Sequence, residues 1–165
     1  FPKNTKFAYE EIMKNNNIPE DIPFYISVAS NNDESLAPEN KSGVFILIPV
    51  PLKNKDYSWD EVSEKLLNKV LLRLRKHEII INKKDIINKE IISPKKWKDL
   101  FGLYKGSAFG ASHNLFQVGP FRNSNKSKKY KNLFFVGAST TPGTGLPMCV
   151  LSGKMVSERV LQNNE

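Results

Sequence analysis

Asn132-Leu-Phe-Phe-Val-Gly-Ala-Ser-Thr-Thr-Pro-Gly-Thr-Gly-Leu-Pro-Met-Cys-Val-Leu-Ser-Gly-Lys-Met-Val-Ser-Glu-Arg-Val-Leu161 is the stretch around which the rest of the chain is read. It opens with an apolar run, Leu133 to Val136, of the length and type expected of a fully buried strand. A turn of small residues and glycines follows, Gly137 to Gly145. Helical spacing closes it, with Val150, Leu151, Met155, Val156 and Val160 as the apolar positions. Pro147 fits a first helical turn, where a missing N–H costs nothing. Gly137, Gly143 and Gly145 allow positive φ and a close approach of backbone to a ligand. The helix start adds unpaired N–H groups and a positive dipole end, which suit an anion. On the glycines alone, a tight strand-to-helix connection with no ligand is the better reading.

The full string is more specific than its glycines. It resembles the C-terminal flavin-binding segment of the carotenoid (phytoene) desaturases of bacterial and fungal type. Their pattern runs close to Gly-Ala-(Gly/Ser)-Thr-His-Pro-Gly-x-Gly-(Val/Ile/Leu)-Pro. This chain has Gly137, Ala138, Ser139, Thr140, Pro142, Gly143, Thr144, Gly145, Leu146 and Pro147 in those places. It departs at Thr141, where the family usually has His.

Composition bounds the outer frame. The chain has 165 residues, 39% hydrophobic and 10% aromatic, enough for a folded core and unlike a disordered segment. The net charge is +8, carried by scattered Lys. Compositional bias accounts for most of it, an anionic membrane surface for some, and nucleic acid for little. A single cysteine, Cys149, excludes an internal disulfide and a cysteine metal site, and its setting inside an apolar helix reads as buried and inert. His77 and His113 are too few and too separate for a metal cluster. No apolar run reaches the roughly 18 residues of a membrane span. Phe1 stands without an initiating Met or a signal-peptide pattern, which reads as a processed chain, a fragment or a cut one.

Going outward toward the N-terminus, Asn125 to Lys131 is a dense basic run, read first as a solvated loop and second as a lipid contact. Gly106 to Gln117 is rich in small residues and contains His113, read as a structural histidine. Ser93-Pro94 starts a short helix with Trp97, Leu100 and Phe101, stopped by Gly102. Ile79 to Ile81 and Ile86 to Ile92 lean toward strand because Ile is β-branched. Ser58-Trp-Asp-Glu61 is a capping box for a helix with Val62, Leu66, Leu67, Val70, Leu71 and Leu74 on its core face. Arg73, Arg75 and Lys76 crowd that helix's last turn, where cations suit the dipole. Pro23 to Ser30 alternates as a strand, and Gly43 to Pro51 is apolar on both faces, as a central strand is. The two are expected to pair antiparallel. A first helix, capped by Thr5, carries Phe7, Ile12 and Met13 on one side.

The resemblance extends over these blocks too. Pro23-Phe-Tyr-Ile26, Asp33-Glu-Ser-Leu-Ala-Pro-Glu39, Leu47-Ile-Pro-Val-Pro51, Gly106 to Gln117 and Phe121-Arg122 follow one another in family order. Departures include Ala29 for Pro, Asn40 for Gly and Asn123 for Pro. The resemblance implies a mixed α/β (α+β) fold: the C-terminal part of a Rossmann-type FAD-binding fold with part of a substrate domain on a mixed or antiparallel sheet. Residues 1–104 would end the substrate-binding domain, and residues 105–165 would be the last piece of the FAD-binding domain. The family's Gly-x-Gly-x-x-Gly fingerprint for the FAD pyrophosphate has no counterpart here. The expectation is therefore a C-terminal portion of a longer enzyme, inactive alone, whose partner is the missing N-terminal part.

The resemblance further implies FAD as cofactor, an apolar carotenoid as substrate and a peripheral, intracellular membrane location. Thr144, Gly145, Leu146 and Pro147 would face the flavin's N1–C2=O edge. Gly137 and Ala138 would lie nearer the ribityl chain and phosphates, with Pro142 and Gly143 between. Arg122 matches an Arg of the family and could pair with a carboxylate or phosphate. Phe45, Leu47 and Trp59 are candidates for an apolar channel or ordinary core. A related carotenoid or retinoid saturase or isomerase fits the same residues, and so does a truncated, non-catalytic binding module. A nucleic-acid binder lacks any supporting motif.

Overall fold

The structure is a computed structural model that describes residues 1–52, 57–112 and 114–162. His113 lies outside them. Among the described residues, four α-helices and one two-stranded antiparallel sheet make a mixed α/β arrangement. The chain divides into two compact units, residues 1–95 and 96–165.

The first unit is built on the leucine-striped helix. It is α2, Trp59–Arg75, with Ser58 at its N-cap and Asp60 and Glu61 in its first turn. The cap position is as expected, but the Ser58 side chain makes no capping bond, so the box works only through the acidic residues at the positive dipole end. Leu66, Val70 and Leu74 are buried on one face together with Ile22. Ile26 and Ile46, the central residues of the two strands, pack against this group, as do Phe24 and Ile48. The strands are β1, Tyr25–Ser27, and β2, Phe45–Leu47, with Tyr25 opposite Leu47 and Ser27 opposite Phe45. Their antiparallel pairing is as the alternation predicts. The central place expected for β2 is not: among the described residues the sheet holds only these two strands, so β2 is an edge. The alternation then puts Tyr25 and Phe45 on the outer face, where they are exposed and meet edge to face at 6.5 Å.

Arg73 does more than complement a dipole. Its Nη1 donates to the Ile22 carbonyl at 2.6 Å, its Nη2 pairs with Asp21, and its guanidinium lies 5.5 Å from the centre of the Phe24 ring. It thereby pins the approach to β1 against α2. Helix α1, Thr5–Met13, is capped not by Thr5 but by Asn4, whose side chain accepts from Phe7 N–H, and it buries Ala8 and Ile12, leaving Phe7 and Met13 outside. The isoleucine segments after α2 form no strand. Ile79, Ile80 and Ile87 are exposed, and only Ile81 joins the edge of the core. β-branching favours a strand only where a neighbouring strand accepts its hydrogen bonds, and none runs beside them among the described residues.

Helix α3, Pro94–Phe101, begins at the division and ends at Gly102, whose φ of 64° is the left-handed stop read from the sequence. The second unit then runs through short turns to α4, Leu146–Gln162. Three expectations are corrected here. Leu133 to Val136 is not a buried strand: it makes a single antiparallel bridge, Lys126 with Phe134, and Leu133, Phe135 and Val136 are exposed. Its backbone is paired on one side only, through Phe135 N–H to Asn125 C=O at 2.8 Å and Ser127 N–H to Leu133 C=O at 2.9 Å. The buried face of α4 is Ser152 and Val156, while Val150 and Leu151 are exposed. Cys149 is half-buried, not enclosed.

Candidate functional site

The site is the turn from Gly137 to Gly145 and the helix start that follows it. Gly137, Gly143 and Gly145 have φ of 113°, 154° and 106°, conformations that an L side chain rarely adopts. A Cβ at Gly137 or at Gly145 would find no atom within 4 Å, so both glycines face open space. The Thr141–Pro142 peptide bond is cis. Thr144 Oγ1 donates to the Phe109 carbonyl at 2.5 Å, tying the turn to the small-residue block. That block comes close enough to need glycine on its own side. A Cβ on Gly110 would lie 2.7 Å from Ser139 Oγ and 3.1 Å from the Ala138 carbonyl carbon.

Helix α4 starts at Leu146, which is 81% exposed, with Pro147 next. The Gly145 carbonyl accepts from Cys149 N–H at 2.9 Å, closing the first turn. The N–H groups of Leu146 and Met148 belong to the donors that no intrahelical carbonyl can meet. No acidic residue stands in that turn to neutralise its dipole. The result is a glycine-lined, donor-rich, solvent-facing edge.

Beneath it the turn is held by polar side chains. Arg122 is buried, and its guanidinium donates to main-chain carbonyls throughout: Nε to Thr140 at 2.9 Å, Nη1 to Gln117 at 2.9 Å and Ser112 at 3.4 Å, Nη2 to Ala138 and to Ala111 at 3.4 Å. The five N–H donors of an arginine thus have five carbonyl acceptors. The Arg122 charge meets backbone, and the five hydrogen bonds it makes here all go to main-chain carbonyls.

Asn125 and Ser152 are both fully buried. The Asn125 Nδ2 lies within 3.2 Å of four oxygens: the carbonyls of Phe135 and Thr141 and the hydroxyls of Thr140 and Ser152. Ser152 Oγ accepts from Gly137 N–H at 3.2 Å. The sequence reading missed this pair. Asn125 heads the basic run, which was read as solvated, while Lys128 to Lys131 are indeed exposed. Ser152 was passed over as a polar residue between apolar ones. A serine at helical spacing from Val156, on the face where a leucine would be expected, was the available signal.

The structure therefore gathers Gly137, Ala138, Pro142, Gly143, Thr144, Gly145, Leu146 and Pro147 into one turn, with Arg122 under Ala138 and Thr140. Phe45 and Leu47 lie in the first unit, Phe45 exposed and Leu47 half-buried, while Trp59 is buried there. That unit also has a shallow cleft of about 330 Å³ lined by Glu64, Leu67, Lys83 and Ile86–Lys89. The Lys89 ammonium bonds the Glu64 carboxyl and holds its pKa below the ordinary range, with Lys83 adding to the pull. Among the described residues, no three His, Cys, Asp or Glu gather to hold a metal. None of the described helices is long and apolar enough to cross a membrane.

Comparison with known proteins adds a sequence-wide observation. No protein-family model matches the chain. Curated relatives do match, however. The chain is 39% identical over 162 residues to the zeta-carotene-forming phytoene desaturase of Myxococcus xanthus, covering 98% of this chain and 31% of that protein. This chain is related to the carotenoid desaturases. It is 33% identical to the phytoene desaturase of Fusarium fujikuroi, covering 95% of the chain and 31% of the relative. The 4,4'-diapophytoene desaturase (4,4'-diaponeurosporene-forming) of Staphylococcus haemolyticus is also 33% identical, with 90% of the chain and 30% of the relative covered. The chain spans about a third of the length of these carotenoid desaturases.

Proposed function

We propose that the chain is the C-terminal portion of an FAD-dependent phytoene desaturase, an oxidoreductase that introduces C=C bonds into a carotenoid precursor. The observation that carries the reading is the glycine turn. Gly137 and Gly145 hold positive φ against open space, directly before a helix of 17 residues whose first turn carries no acidic residue. That arrangement fits the polar edge of a flavin: it leaves room for a flat ring, offers N–H donors and places no carboxylate against it. Similarity over 98% of the chain to a protein named as a phytoene desaturase supports the same reading.

In this proposal the flavin, when bound, accepts the two hydrogens removed from the substrate. The protein's part is binding and orientation. The Leu146 and Met148 N–H groups and the α4 dipole stabilise negative charge at the flavin's N1–C2=O edge without a charged side chain. Gly137 and Ala138 give backbone access nearer the ribityl and phosphate groups. Residues 105–165 act as the last piece of a Rossmann-type FAD domain, and residues 1–104 as the end of a substrate domain. The outer sheet face, with Tyr25 and Phe45 exposed, offers apolar contact to a hydrocarbon. Lys128, Lys129 and Lys131 are exposed and would favour an anionic bilayer surface by on the order of 1 kcal/mol each, which fits a peripheral membrane location.

The test is expression of the longest natural reading frame that contains these residues. Bound flavin and desaturation of phytoene in anionic liposomes are the expected results. A full-length product that takes up no FAD overturns the reading.

A further inference from the structure

We propose that Asn125 and Ser152 are positioning residues that lock the donor geometry of the 137–145 turn for the flavin. The proposal rests on the flavin-site reading above. The Asn125 carboxamide reaches both ends of the turn at once. Its Nδ2 is 3.1 Å from the Phe135 carbonyl on the way in and 2.8 Å from the Thr141 carbonyl beyond the bend. The same nitrogen is 3.1 Å from Ser152 Oγ on α4, and Oδ1 accepts from Arg159 Nη1 at 3.2 Å. One amide therefore ties the entry, the bend and the helix together, and Arg159 fixes which way the amide faces.

Ser152 completes the arrangement. It sits in the second turn of α4 and takes the Gly137 N–H, while Thr140 Oγ1 lies 3.2 Å away and donates at 3.0 Å to the Gly137 carbonyl. Both backbone groups of Gly137 are thus bonded to side chains behind the turn. Its φ of 113° is set from the rear, where its front faces open space. An apolar pair of the same volume would fill the interior but would not orient the Gly137 peptide, because packing is non-directional and hydrogen bonds are not. Only an amide supplies in one plane the two donors that the turn carbonyls need and the acceptor that Arg159 needs. Asp lacks the donors, and Gln adds a methylene to a site with no free surface.

The experiment uses the full-length flavoprotein containing this segment, with FAD as the probe. FAD dissociation constants by flavin fluorescence, the visible circular dichroism of bound flavin and apoprotein Tm are measured for the wild type and for Ser152→Ala, Ser152→Cys and Asn125→Asp. Ser152→Ala is expected to weaken FAD binding about tenfold and alter the flavin dichroism, and Ser152→Cys, which adds no methyl to this buried site and keeps a weaker acceptor, to retain part of both. Asn125→Asp is expected to weaken binding more than Ser152→Ala. If Ser152→Ala lowers Tm while the folded protein binds FAD with unchanged affinity and dichroism, the residues are structural and the proposal falls, with the flavin reading intact. If the wild type itself binds no FAD, both fall together.

Discussion

Residues 1–95 close around Ile22, Leu66, Val70 and Leu74, four apolar side chains that need only be near one another. Residues 96–165 bury instead Arg122, Asn125, Thr140 and Ser152, with Val156 as the one large apolar side chain buried there among the described residues. The apolar side chains of this second unit stand outside: Leu146, Val150, Leu161, Phe116 and Phe121 are all more than 60% exposed. The contrast separates two jobs. Apolar burial supplies most of the stability of a fold but specifies directions poorly. A buried polar network adds little net stability and fixes where each carbonyl and N–H points. The unit that carries the glycine turn has the second kind of interior.

The comparison can be broken most sharply at Arg122. Arg122→Met should cost roughly 4 kcal/mol or more, because several buried carbonyls lose their donors at once. Native-state hydrogen exchange on chain 1–165 should show protection lost in residues 96–162 and kept in α2. A cost below about 1 kcal/mol would mean that the polar interior holds nothing together. Next in size is Leu66→Ala, expected to destabilise the first unit by about 3 kcal/mol through lost burial and the cavity left behind. Urea unfolding followed at Trp59 reads it, and the second unit's exchange pattern should not change.

Val150→Ala sharpens the contrast from the other side. A side chain 68% exposed on α4 should cost less than about 0.5 kcal/mol when removed from this chain. A loss above about 1.5 kcal/mol would show that the outer apolar face is covered in solution. The smallest effect belongs to Glu64. Its folded pKa lies below the ordinary glutamate value of 4.5, held there by the Lys89 hydrogen bond. The stabilisation it brings is therefore present above that ordinary value and fades as pH falls through the depressed one. Glu64→Gln should remove that slight contribution at neutral pH, leave stability below the depressed pKa unchanged, and so flatten the acid limb of a thermal titration.

What the sequence discloses follows the same division. The helical stripe Val62 to Leu74 was legible because apolar burial leaves a periodic trace, and its buried face is the one the spacing picks out. Tyr25–Ser27 was legible by alternation, Phe45–Leu47 by its apolar run though not in its edge position, and Gly102 by its place after an apolar helix. Polar interiors leave no period. Nothing in the order of residues marks Asn125 as buried when Lys126, Lys128 and Lys129 follow it. Leu133 to Val136 misled for a related reason: an apolar run records an intention to be covered, and its strand needs a neighbour to bond. The glycine turn itself was read correctly in place, while its supports, Ser152 and Asn125, come from 15 and 12 residues away on either side of Gly137.

The approach of Gly110 to Ser139 has a consequence for how this sequence can drift. A Cβ at position 110 would sit 2.7 Å from Ser139 Oγ, and the backbone there already has φ of +72°. Neither site can therefore wander by itself. A larger residue at 139 removes the last room at 110, and any side chain at 110 demands a smaller one at 139 as well as a backbone it can tolerate, such as Asn. Among diverged copies of this segment, the two columns should change as a pair or stay as they are.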